Sequence, residues 1–285
     1  MTDEAGAMTV GFIGLGQIGA PMATRLVDWP GGLVVFDVRP DATAPFADQG
    51  AVVADTVATL GGAVDLASVV VRDDDQVREV VAELLTTMRP GSAIAVHSTI
   101  HAETAEELAP IVAARDIALL DVPVSGGFVG AVEGTLAAIV GGDRAAYERA
   151  RPVFERWATL VVHMGPVGAG TRTKLARNLI HYVSYTAAGE AQRLAEAAGL
   201  DLRKLARVVR HSDGVTGGPG AIMVRSTAAP APTDDPLYDV LTHTRDLGEK
   251  DLDLALQLAD DLGVTMPLSA LTRTELAAGL GVPRV

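Results

Sequence analysis

The segment Gly14-Leu15-Gly16-Gln17-Ile18-Gly19 constrains the fold of this chain more than any other. It follows the apolar run Val10–Ile13 and opens a helical pattern over Gln17–Asp28, which places the glycines between a strand and a helix. In that setting each has a task of its own. Gly14 permits a tight turn, Gly16 lets the main chain approach a pyrophosphate, and Gly19 lets the helix pack against the strand. The helix N-terminus then presents free N–H groups and a positive dipole end to the phosphates. Leu15, Gln17 and Ile18 complete this candidate cofactor turn. The next strand-like run ends at Asp37, eighteen positions past Gly19, where a carboxylate can accept hydrogen bonds from an adenosine ribose. Asp37 favours the free ribose hydroxyls of NAD and repels the 2′-phosphate of NADP. Arg39, two residues on, leaves NADP open, because an arginine there can hold that phosphate.

A chain of 285 residues is longer than one hydrophobic core usually organises, so two domains are expected. Short apolar runs at Val10–Ile13, Leu33–Phe36, Ala67–Val71, Ala93–Val96, Ala118–Val122, Leu136–Val140 and Leu160–Val162 alternate with helical patterns. Such alternation predicts βαβ units and a mainly parallel sheet. From Gly168 the texture changes. Long periodic stretches over 170–197, 201–211, 238–262 and 267–280 have no convincing strands between them. The expected architecture is α/β: an N-terminal Rossmann dinucleotide-binding domain over 1–165, then an all-α C-terminal domain over 166–285.

Two further constellations can carry chemistry. Asp121-Val122-Pro123-Val124-Ser125-Gly126-Gly127 places a serine and two glycines after a strand. Main-chain N–H groups exposed there can line an anion-binding concavity, although the same residues also suit an ordinary connection. Lys174 and Asn178 stand four apart at the start of the long helix, hence on one face. A lysine in a cleft has its pKa lowered by burial and can exchange a proton near neutral pH. An amide alongside can bond an alcohol or a carbonyl oxygen. The same pair would also suit a solvated helix, but the chain holds three lysines against twenty arginines. Where only positive charge is needed, this protein uses arginine, which cannot deprotonate.

Together these segments resemble the β-hydroxyacid dehydrogenase family, typified by 3-hydroxyisobutyrate dehydrogenase and tartronate semialdehyde reductase, over essentially the whole chain. Phe12 to Gly19 with Pro21-Met22-Ala23 looks like the family's cofactor signature, and Asp121 to Gly127 like its substrate loop. Gly168 to Asn178 looks like its catalytic helix, and Lys250-Asp251-Leu252 like its C-terminal cofactor contact. The resemblance implies an NAD-dependent oxidation of a small 3-hydroxyacid, or reduction of the corresponding semialdehyde. It also implies roles. Lys174 is the general acid/base and Asn178 holds the reacting oxygen. Ser125, Gly126 and Gly127 bind the substrate carboxylate, and Lys250 closes over the nicotinamide side. Thr99, with Ser98, lies beside the cofactor, although Ser98-Thr99 reads equally well as a helix-capping turn. One position departs from the family. Arg177 precedes the asparagine where the hydroxyisobutyrate branch commonly has asparagine and the phosphogluconate branch histidine. A guanidinium there can grip a second anionic group of the substrate. Two rival readings share the fold, an imine reductase and a non-catalytic dinucleotide reader. Imine reductases usually replace the lysine, and a reader would be expected to lose Lys174 or Asn178.

The formal net charge of -13 and pI near 4.8 disfavour nucleic acid as a partner. No cysteine is present, which excludes disulfides and thiolate chemistry. No metal is expected, since Asp73-Asp74-Asp75 reads as a loop and helix N-cap and the six histidines lack zinc-ligand spacing. His181 falls seven residues past Lys174, near the same face, and Glu190 reads as structural. The leader Met1-Thr2-Asp3-Glu4 lacks the features of a signal peptide, and no apolar run approaches membrane-spanning length. A cytoplasmic enzyme is expected, acting on a small carboxylate. The resemblance further implies a homodimer or homotetramer, with 170–197 near the interface.

Overall fold

The computed structural model describes residues 8–284, so the acidic leader lies outside the described residues. Strands β1 (Val10–Ile13), β2 (Leu33–Phe36), β3 (Val52–Val53), β4 (Leu66–Val69), β5 (Ala93–Val96) and β6 (Ala118–Asp121) run parallel in the order β3-β2-β1-β4-β5-β6. The sheet continues through β8 (Leu136–Gly142), antiparallel to β6. β7 (Val124–Ser125) pairs antiparallel with β8, and β9 (Ala158–Gly165) pairs parallel with it. Helices α1 (Gly19–Thr24), α2 (Pro40–Ala47), α3 (Val57–Ala63), α4 (Asp74–Leu84), α5 (Ala102–Ala113), α6 (Gly127–Glu133) and α7 (Arg144–Phe154) connect the strands.

Both faces of the sheet are buried, which is why its strands read as continuous apolar runs rather than alternating ones. Side chains separate by the period of two. Phe12, Ala95 and Leu120 join one core with Phe154 and Trp157. Their strand neighbours Ile13, Ile94 and Leu119 join the other, with Leu60 and Val81. The two strands that the sequence does not announce, β3 and β7, are two residues each, too short for any periodicity. The first helix is shorter than the expected Gln17–Asp28. Beyond Thr24 the chain tightens into three-residue bonds, Leu26 N–H to Ala23 and Val27 N–H to Thr24. Asp73 caps α4 through the Gln76 N–H, as its position in the acidic triplet suggests.

Past Gly165 the described residues hold no strand. They form α8 (Ala169–Ala197), α9 (Leu202–Thr216), a short 3-10 turn at Gly218–Ile222, α10 (Tyr238–Asp261) and α11 (Pro267–Leu280). Two compact units result, one up to Arg177 and one from Asn178 onward, a division that falls within α8. In the helical unit, the Glu190 carboxylate accepts the Leu268 and Ser269 N–H groups at 2.8 Å each and the Ser269 hydroxyl at 2.6 Å. It therefore caps α11, the structural task its place in the sequence suggested. No helix among the described residues is long and apolar enough to cross a membrane.

Candidate active site

Parallel strands end together, and a doubly wound sheet binds ligands outside those carboxyl ends, where the strand order reverses. Here that point lies between β1 and β4. The turn after β1 shows why its glycines cannot be replaced freely. Gly14 has φ 91, and a Cβ on it would run into the Val70 carbonyl oxygen. One on Gly19 would strike the carbonyl oxygen of Gly14. A Cβ on Gly16 would meet nothing within 4 Å, so this is where a ligand's phosphates have room. A groove of about 410 Å³ opens beside it, lined among others by Gly16, Gln17, Pro21, Arg25 and Phe128.

Asp37 follows β2 and turns its carboxylate toward the same turn. Oδ2 accepts the Leu15 N–H at 2.7 Å; Oδ1 accepts the Arg39 N–H at 2.9 Å and Arg39 Nε at 3.3 Å. Burial works to raise its pKa, but these donors outweigh burial and hold it below the ordinary value. Asp37 is therefore ionised and fixed in one rotamer beside the glycine turn. Arg39 is occupied in holding that carboxylate, with more than half its side chain in solvent. A turn with open space at Gly16 and an oriented carboxylate at its side fits a dinucleotide's pyrophosphate and adenosine ribose.

The loops after β4 and β5 are tied together by Ser98, whose hydroxyl accepts the Val71 N–H at 2.9 Å and donates to the Val71 carbonyl at 2.6 Å. Ser98 thus clamps two loops rather than capping a helix: α5 begins at Ala102, and its N-cap His101 makes no side-chain cap bond. Thr99, next along, is exposed at this sheet edge. His97 is fully buried, donating from Nδ1 to the Val122 carbonyl at 3.0 Å and accepting the Ser68 hydroxyl at Nε2, 3.1 Å away. Burial pushes its pKa down to about 4, so it stays neutral and holds the chain that leads to the next loop.

That loop runs from Asp121 to Gly127. Ser125 is half-buried, and Gly126 and Gly127, both at positive φ, stand exposed at the start of α6. Asp121 is buried at the end of β6 and accepts the Gly168 and Thr171 N–H groups from the first turn of α8. Lys174 follows one turn on. It is 9% exposed, and its pKa is lowered to about 8 by burial and then by the neighbouring Arg177 charge. Asn178 lies one further turn along α8 and His181 continues the same side, half-buried like Asn178, whereas Arg177 is exposed.

The carboxyl ends of the parallel strands thus gather the Gly14–Gly19 turn, Asp37, Arg39, Thr99, the Ser125–Gly127 loop and the start of α8. Lys250 belongs to the helical unit, on α10, where it is exposed and paired with Asp251 at 3.0 Å. Sequence reasoning read Ser98 as lying beside the cofactor or capping a helix, and gave Asp121 no task of its own within the Asp121–Gly127 segment. Asp121's partners lie 47 and 50 residues away, so no local pattern could reveal the bond. Among the described residues no cluster of His, Cys, Asp or Glu could hold a metal.

A Rossmann domain with an oriented carboxylate beside its glycine turn and a buried lysine at its carboxyl edge suits a nicotinamide-dinucleotide-dependent oxidoreductase. Two families match the chain along its length. The NAD binding domain of 6-phosphogluconate dehydrogenase covers residues 9–165. The NAD-binding domain of NADP-dependent 3-hydroxyisobutyrate dehydrogenase covers residues 168–281. The chain belongs to the β-hydroxyacid dehydrogenase family. It is 53% identical to an uncharacterized oxidoreductase of Mycobacterium tuberculosis, over 99% of this chain and 97% of that one. A crystal structure from Mycobacterium avium 104 is 55% identical, with a TM-score of 0.93 over 97% of this chain and all of that one. A solved Mycobacterium tuberculosis 3-hydroxyisobutyrate dehydrogenase with L-serine is 32% identical, with a TM-score of 0.68 over 95% and 92% of the two chains. An imine reductase from a Pseudomonas species is 18% identical, with a TM-score of 0.73, a likeness of fold alone.

Proposed function

We propose that this oxidoreductase moves a hydride between NAD and a small 3-hydroxyacid, with the corresponding semialdehyde as the oxidised partner. The observation that carries the reading is Lys174, a buried lysine with its pKa lowered to about 8 at the start of α8. Oxidising an alcohol removes a hydride from carbon and a proton from oxygen; the nicotinamide, when bound, accepts the hydride. The protein must take the proton. Neutral Lys174 accepts it from the hydroxyl, and as an ammonium returns it in the reverse reduction. Asn178 donates its amide N–H to the same oxygen as negative charge builds there. Ser125 and the N–H groups at Gly126 and Gly127 bind the carboxylate, leaving Arg177 for a second anionic or polar group.

For the cofactor, the Gly14–Gly19 turn holds the pyrophosphate and Asp37 the adenosine ribose, while Thr99 and Lys250 flank the nicotinamide side. The relative solved with L-serine supports the substrate class, because serine is itself a 3-hydroxyacid. Lys174 and Asn178 speak against an imine reductase and against a non-catalytic reader. We further propose a cytoplasmic homodimer or homotetramer.

A panel of small 3-hydroxyacids, followed by NADH formation, tests the proposal. At least one should turn over. Lys174→Ala should lower kcat by on the order of 10²–10⁴ while NAD still binds. Lys174→Arg should rescue little, since a guanidinium keeps the charge but relays no proton. Near-native kcat in the arginine variant would make Lys174 an anion anchor and leave the proton to another path.

A further inference from the structure

The side chain of Asp121 has no part in the chemistry just described, yet it is 1% exposed and carries a carboxyl group. Its two oxygens take the Gly168 N–H at 2.8 Å and the Thr171 N–H at 2.7 Å. Such donors at the start of a helix have no partner within it. The main chain of α8 is pressed against the same place. A Cβ on Gly170 would stand 2.5 Å from the carbonyl oxygens of both Asp121 and Ile139, and 2.9 Å from the Gly141 nitrogen. The first turn of α8 therefore sits against β6 and β8 without slack, one turn ahead of Lys174. Asp121 is also the residue from which the chain enters the Ser125–Gly127 loop. The following residue, Val122, is held by main-chain and histidine bonds, its N–H to Val96 at 2.7 Å and its carbonyl to His97.

We propose that Asp121 is the positioning residue that fixes Lys174 relative to the Ser125–Gly127 loop. The inference rests on Lys174 being the proton carrier. Helix caps are ordinarily serine, threonine, asparagine or exposed aspartate, and a buried carboxylate is a costly way to meet two N–H groups. Burial indeed pushes the Asp121 carboxyl upward, against the pull of the two donors. What a carboxylate adds over a cap with one oxygen is a second acceptor, so both N–H groups are held at once and the start of α8 is seated at two points. Arg172 on the same helix is bound to Glu106 of α5. Lys174, one turn on, has its pKa lowered first by burial and then by the Arg177 charge, and that burial depends on the helix being seated. Loss of Asp121 should therefore let Lys174 move back toward its ordinary value.

The titration arm of the test needs no identified substrate. The chain has three lysines, so enzyme labelled with ¹³C-lysine gives three side-chain Cε signals to titrate, and Lys174→Ala identifies one by its disappearance. The wild-type midpoint should lie at about 8. Asp121→Asn keeps the shape but only one acceptor, and turns an amide N–H toward the second helix donor. Its Lys174 midpoint should rise from about 8 toward the ordinary lysine value of 10.5 as burial is relieved. On an active hydroxyacid its kcat should drop on the order of tenfold or more, with NAD affinity unchanged. Gly170→Ala displaces the first turn with Asp121 in place, so it should lower kcat and raise the midpoint in the same way. If Asp121→Asn does not fold, that second variant carries the positioning claim alone. An Asp121→Asn enzyme with native midpoint and native kcat overturns the inference, and so does a fully active Gly170→Ala. Full turnover by Lys174→Ala overturns instead the reading on which the inference rests.

Discussion

As pH rises through about 8, a growing fraction of molecules carries Lys174 as a neutral amine, because burial and the Arg177 charge disfavour the ammonium. Oxidation needs the neutral base, so its kcat/KM should climb with pH and level off above about 8. Reduction needs the ammonium and should fall over the same interval. Paired pH profiles in the two directions check this, and parallel profiles would assign the titration to another group. The same shift has a sign in stability. An unfolded lysine titrates near 10.5, so between about 8 and 10.5 the unfolded chain holds a proton that the folded one has released. Unfolding free energy therefore rises with pH across that window. Below it the full penalty of the buried ammonium stands. Lys174→Met should accordingly lower kcat by on the order of 10²–10⁴ yet raise Tm at pH 7, a combination that thermal melts and the kinetic assay can show together.

At the scale of elements, the turn after β1 separates packing from ligand binding within six residues. A methyl on Gly16 meets open space, so Gly16→Ala should leave Tm unchanged and weaken NAD by on the order of tenfold or more, since it fills the phosphates' approach. A methyl on Gly19 collides with the Gly14 carbonyl, so Gly19→Ala should cost about 1–3 kcal/mol of stability as well. Melting curves beside NAD titrations distinguish the two. Asp37 should favour NAD over NADP by at least about tenfold, or 1.4 kcal/mol. Equal or tighter NADP binding would show that Arg39 governs the pocket. This turn was legible in the sequence because strand, glycines, helix and acid are contiguous. So were the strands, whose burial on both faces leaves unbroken apolar runs, and the long helices, whose period repeats over many turns. The two-residue strands Val52–Val53 and Val124–Ser125 have no room for a pattern. Asp121 and Ser98 act through partners 27 to 50 residues away, and pairing at that distance exists only once the sheet has formed. Lys174 stood out through the scarcity of lysine, but its burial is a property of the fold.

For the whole molecule, the open question is what covers the helical half. A helix as long as α8 draws most of its stability from a packed apolar face. Yet Leu175, Leu179, Ile180, Tyr182, Val183 and Tyr185 on it are all exposed. Among the described residues, the buried apolar cluster within that half comprises Ala231, Leu241, Leu280 and Val282, against twenty or more residues in each core of the sheet domain. A second copy of the chain, presenting the same face, would bury these side chains by the self-complementary packing of a two-fold dimer. We therefore expect a homo-oligomer with 170–197 at or near its interface. The net charge of -13 makes copies repel, so apolar association must overcome a like-charge term that salt screens. Assembly should hence tighten, not loosen, as ionic strength rises from about 10 mM to 150 mM, where the screening length shortens from about 30 Å to 8 Å. Light scattering across that range should report a dimer or larger at micromolar concentration. Leu179→Glu with Tyr182→Glu, which place charge on the exposed stripe, should shift it toward monomer and lower Tm. A wild-type monomer at both ionic strengths would refute the assembly. The exposed face of α8 would then need another partner.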